Sequence, residues 1–144
     1  MSVYNVSYFI HVIGIVLWIG SFMSFWFLLR TVVKQDSYEG IGNAIRKNVN
    51  AVIIPASVLV VVSGSYMIMQ FNRDSMPLYF SLMEMGGTMV ILLSIIALSI
   101  ISKKITKAVD EAKKIALYGY YRTTLLLSSV LGTAVVFIVA LRLI

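Results

Sequence analysis

Cysteine is absent from the chain. Disulfides, iron–sulfur clusters and thiolate metal sites are therefore excluded, and the redox compartment is left unspecified. Charge is the second scarcity. Only 12% of the residues are charged, against about 25% in an ordinary soluble domain. Acidic side chains are the rarer kind, six against twelve lysines and arginines, for a net charge of +6. There are two prolines and a single histidine, His11. That lone imidazole has no nucleophile and acid around it, no H-E-x-x-H occurs, and no phosphate-cradling glycine loop follows a strand. Hydrolase chemistry is excluded. Any enzymatic role would be redox chemistry carried by a bound cofactor, which makes an oxidoreductase.

What the chain does have is apolar surface. It is 60% hydrophobic with a mean hydropathy of +0.94, and such an excess finds its natural solvent in the lipid bilayer. A spanning helix needs about 20 mostly apolar residues, and four runs qualify, at 8–29, 49–71, 78–101 and 123–141. The runs are continuous and lack the alternation of an outer-membrane barrel. Helices also satisfy their own backbone groups in lipid. The expected fold is all-α: one polytopic domain over 1–144, a four-transmembrane-helix bundle. Met1 to Ser7 carry no basic n-region and no small-residue cleavage site follows, so the first run is expected to be a retained span. Ten of the twelve basic residues fall in the connections after spans one and three. That bias predicts a multi-pass protein of the cell membrane with those connections in the cytoplasm and both termini outside. The basic charge then reports topology, and no nucleic-acid partner is expected.

Local signals refine the expectation. In Ser102 to Ala116, Lys107 and Glu111, and Asp110 and Lys114, stand at i,i+4, which predicts that the third helix runs on into the cytoplasm. Pro77 suits the first turn of span three, with Asp74 or Ser75 as its cap. Pro55 predicts a kink in span two. Small residues let helices approach closely in lipid; candidates are Gly20 and Ser24, Ser63 to Ser65, Gly86 and Ser94, and Thr124, Ser128 and Gly132. Tyr4, Tyr8 and Tyr79 at one end, and Tyr118, Tyr120 and Tyr121 at the other, fit interfacial belts.

His11 lies about one turn inside span one, in YFIHVIGIVLWIG. Gly14 and Trp18 share its helix face. The glycine leaves a flat gap beside the imidazole, fit for a planar group or a neighbouring helix. An ionisable group within a span is a functional hypothesis by default; the alternative is a buried, hydrogen-bonded structural histidine. Met67, Met69, Met76, Met83 and Met85 gather at the same depth. Thioethers suit Cu(I) and also serve as axial haem ligands beside a histidine; otherwise they fill gaps in apolar helices. Residues two apart on a helix point about 200° away from each other, so only one methionine of each Met-x-Met pair can face inward. Glu84 is the acidic residue within a span, and its candidate partners are His11 and Arg142.

The run IHVIGIVLWIGSFMSFWFLLR (Ile10 to Arg30) resembles the first helix of a membrane superfamily that includes the CopD copper-resistance domain and HemJ-type protoporphyrinogen oxidases. The matching positions are His11, Gly14, Trp18 and Gly20, with looser similarity at Gly64, the basic residues after span three, and Arg122. The resemblance implies a four-helix core with haem b or a metal on His11. HemJ-like proteins also rely on a lysine in the third helix; Glu84 or Met85 stands near that position here. Three readings follow. In the first, a haem-b redox protein holds its porphyrin with His11, Gly14 and Trp18, and takes Met67, Met83 or a second His11 across a homodimer as the other ligand. In the second, a copper(I) protein uses His11, Met67, Met69, Met83 and Met85, with Glu84 carrying charge or a proton. In the third, the chain is a non-catalytic membrane scaffold.

Overall fold

Each apolar run becomes a helix because no other structure satisfies a backbone in lipid except a closed barrel. In the computed structural model, which describes residues 2–35 and 40–142, these helices are α1 (Val3–Gln35), α2 (Ile41–Ile68), α3 (Leu78–Lys107) and α4 (Glu111–Leu141). Met1 and the side chain of Lys34 lie outside the described residues. No strand occurs among the described residues. All four helices are long and apolar enough to cross a membrane, the architecture of a multi-pass membrane protein. They are also longer than the expected spans. At about 1.5 Å per residue, 28 to 31 residues exceed a hydrocarbon core of about 30 Å. Their extra turns carry the polar ends.

The helices run alternately up and down. α1 packs along α2 and α4, α3 packs along α4, and α2 meets α3 chiefly in its first half. The connections after α1 and α3 lie at what we term the basic end. The short α2–α3 connection, the start of α1 and the end of α4 lie at the opposite end, termed the groove end. In its most apolar stretch α2 buries 44% of its residues, against 22% for each other helix. It is the most enclosed of the four.

Several local expectations are corrected. The third helix runs on past 101 only as far as Lys107: Ala108 is extended (φ −72°, ψ 129°), and Asp110 starts α4 by accepting the Ala112 N–H at 3.2 Å. Lys107 and Glu111 therefore sit on different helices. Pro77 itself occupies the cap position before Leu78. Asn72, not Asp74 or Ser75, supplies the capping side chain of the turn before it, accepting the Asp74 N–H. At Pro55 the chain accommodates the missing N–H after a π-helical stretch, Val49–Ile53. Tyr118 and Tyr121 are buried in the core, and Tyr120 alone of the three is exposed.

The interfaces depend on small residues, though not always the expected ones. A Cβ on Gly14 would meet a Val60 methyl at 2.7 Å and the Ala56 carbonyl at 3.3 Å, so α1 and α2 approach there almost backbone to backbone. A Cβ on Gly132 would meet the Trp18 ring at 2.6 Å. Ser94 donates to the Val90 carbonyl at 2.6 Å, and its hydroxyl stands 2.7 Å from that of Ser128, joining α3 to α4. By contrast, nothing lies within 4 Å of a Cβ on Gly20, and one on Gly86 would touch only Leu82 of its own helix.

Candidate functional site

His11 sits on α1 where α2 passes through its small residues Ser63 and Gly64. Its Nδ1 lies 2.9 Å from the Val60 carbonyl oxygen and 3.1 Å from Ser63 Oγ. A carbonyl only accepts, so Nδ1 carries a proton and donates to Val60. The Ser63 hydroxyl donates its own proton to the Leu59 carbonyl, and its oxygen faces the imidazole as a second acceptor. Ser7 donates to the Ser63 carbonyl at 3.2 Å, pinning the same two helices a turn away. In the neutral ring the lone pair is then on Nε2, which has no hydrogen-bond partner among the described residues. This is the geometry expected of a buried, hydrogen-bonded structural histidine, and the bare second nitrogen is also what a metal-ligating histidine needs.

Gly64 makes room for this ring. A Cβ there would stand 2.9 Å from His11 Cε1 and 3.3 Å from Nδ1. The gap left by Gly14 serves a different purpose: it receives Val60 of α2, the neighbouring-helix outcome and not the planar-group one.

Two spaces meet at His11. The larger is an apolar groove of about 240 Å³ between α1, α3 and α4, walled by Ile15, Trp18, Val90, Gly132 and Val135 among others. Trp18 is almost fully buried, and its indole N–H has no partner among the described residues. The smaller is a cavity of about 30 Å³ between α2 and α3, bordered by Gly64, Ser65, Met83, Glu84 and Thr88. Both spaces share His11, Val60 and Met83. A π-helical stretch of α3, Met83–Gly87, forms part of both walls. π-bulges recur at functional sites because they re-aim side chains out of helical register.

The sequence-derived candidates separate clearly. Met83 joins His11; Met85 does not, and is 75% exposed. Met67 is buried but borders neither space, while its pair-mate Met69 is 80% exposed. One methionine of each pair turns inward, as helix geometry requires, yet the two inward ones do not converge. No group of three or more His, Asp or Glu able to hold a metal occurs among the described residues. Glu84 pairs with neither His11 nor Arg142; its carboxylate accepts from Arg73 at 3.2 Å. Arg73 was not foreseen as its partner. Arg142 ends α4 in the left-handed conformation (φ 50°) and is exposed. The Val60 carbonyl and Thr88 had no sequence signal beyond lying on spans, and Ser65 stood out only as a small residue for helix packing. No known family model, curated protein or solved structure matches the chain.

Proposed function

We propose that the chain is a membrane haem-b protein, with His11 as an axial ligand and Met83 as the candidate second ligand. The observation that carries this reading is the anchored imidazole. Its Nδ1 is held by Val60 at 2.9 Å, which leaves Nε2 as the coordinating nitrogen on the wall of an apolar groove. Met83 shares that wall, and a His–Met pair is a known haem ligation. When bound, haem supplies one-electron redox chemistry at a potential set by those ligands and by burial. The protein's own residues do the rest. Val60 and Ser63 orient the imidazole, Gly64 accommodates it, and the valines, isoleucine and Trp18 of the groove exclude water.

The groove's volume of about 240 Å³ falls below the roughly 300–1,000 Å³ of most small-molecule sites. It lies between α1, α3 and α4, and in this reading a second copy would complete it. A two-fold homodimer with paired His11 residues is therefore part of the reading. The basic end faces the cytoplasm and the groove end faces outward, by the ten-to-two division of basic residues. The HemJ-like and CopD-like resemblance of the first helix points the same way, as does a cell-membrane location.

Protein purified from haem-supplied cells is expected to show a Soret band that disappears in His11→Ala. A colourless wild-type protein contradicts the reading. A second reading, Cu(I) bound by the soft pair His11 and Met83, is favoured by those two residues bordering both spaces. It is distinguished by copper without porphyrin in the purified protein. Protein that carries neither porphyrin nor copper and assembles normally as His11→Leu leaves the scaffold reading.

A further inference from the structure

We propose that the small cavity between α2 and α3 is a water site that connects His11 to the aqueous face at the groove end. Its volume is about 30 Å³; a water needs about 10–15 Å³ of such space and two to four polar partners. There is room for about two waters. The partners are the His11 imidazole, the Ser65 and Thr88 hydroxyls and the Glu84 carboxylate.

In a membrane helix a serine or threonine ordinarily donates to the carbonyl one turn back, and Ser57, Ser63, Ser94, Thr123 and Thr124 do so here. The Ser65 and Thr88 hydroxyls make no hydrogen bond with any described residue. Both border the cavity, the exposed Ser65 from α2 and the half-buried Thr88 from α3, with bonding capacity that waters would satisfy.

A gradient of exposure leads inward. The Arg73 side chain is 77% exposed and that of Glu84 34%, while His11 is 7% exposed. Glu84 therefore touches outside solvent through its ion pair with Arg73 and the cavity through its position on the π-helical stretch. Water entering beside Glu84 reaches the imidazole without crossing the apolar groove. At the opposite end the bundle is packed shut by Leu98, Tyr121 and Leu125. The fold thus gives an apolar site a supply of water and small polar solutes from one face. The inference depends on the placement of His11; when a ligand in the groove takes Nε2, the waters keep Ser65, Thr88 and Glu84 as their partners.

The cysteine-free chain makes a direct test possible. In full-length protein in nanodiscs, Thr88→Cys is treated with a charged, water-soluble thiol reagent and compared with Ser94→Cys, buried deeper on the same helix. Thr88→Cys is expected to react at least about ten-fold faster, because the thiolate is the reacting species and forms only where water reaches. Equal rates overturn the proposal. Wild-type protein labelled with ¹⁵N-histidine offers a readout without substitution at the cavity. Magnetisation transfer from water to the His11 ring is expected; its absence overturns the water site. A dry cavity in a protein with an intact Soret band rejects this inference alone. A labelled cysteine in a colourless protein rejects the haem reading alone.

Discussion

At the basic end, Leu29, Ile45, Ile53, Leu98, Ile105, Tyr121 and Leu125 are sealed from all sides. At the groove end, residues 78–90 of α3 and 130–142 of α4 bury no side chain fully. Both ends are built from the same apolar vocabulary, so composition does not explain the difference. Size and placement do. The basic end stacks large side chains from all four helices into one interlocked core. At the groove end α1 and α2 close on one another through Gly14, Ala56, Ser63 and Gly64, with His11 held between them. The groove is the space left between that pair and the facing walls of α3 and α4.

The two π-helical stretches sharpen the contrast. One, Val49–Ile53, precedes Pro55 and places Val49 and Ile53 in the sealed core. The other, Met83–Gly87, buries no residue fully and instead borders the groove and the cavity. The same backbone device seals one end and shapes an opening at the other.

Substitutions that break this comparison have graded effects. Phe22→Ala removes a fully buried ring and is expected to cost about 3 kcal/mol, measured by thermal unfolding in detergent. Gly14→Leu forces α1 away from α2 and is expected to cost about 1–3 kcal/mol. Gly20→Leu on the open face of the same helix is the matched control, expected within about 0.5 kcal/mol of wild type. Ser94→Ala loses the hydroxyl pair with Ser128 and is expected to cost about 0.6 kcal/mol, the average for such bonds in a membrane bundle. Val136→Ala, on the groove wall and already 38% exposed, is expected to change stability by no more than about 0.5 kcal/mol. If Val136→Ala destabilised as much as Phe22→Ala, the two ends would not differ as described.

The division between legible and illegible follows from range of interaction. The four helices were legible because about 20 apolar residues in a row suffice to identify a span. The shared face of His11 and Trp18, and the inward turn of one methionine in each Met-x-Met pair, follow from helical periodicity within one segment; which methionine turns inward is set by contacts between helices. Glu84 was visible as an anomaly, but its partner Arg73 lies across the turn before α3 and is fixed by how that turn folds. Tyr118 and Tyr121 were expected at an interface because aromatics at span ends commonly sit there. Contacts from α2 and α3 enclosed them instead. The break at Ala108 was hidden by good helix-forming neighbours and becomes readable only through Asp110 as a cap. The groove itself has no sequence signature, since it is a space between helices that close contact elsewhere keeps apart.

The central claim is that the fold fixes the His11 imidazole with its proton on Nδ1 and its lone pair on Nε2. With one histidine in the chain, ¹⁵N-histidine labelling of cofactor-free protein yields a single pair of ring-nitrogen resonances. The expected result is a protonated Nδ1 and a bare Nε2. A protonated Nε2 with a bare Nδ1 contradicts the account, because no lone pair would then be left for a ligand in the groove.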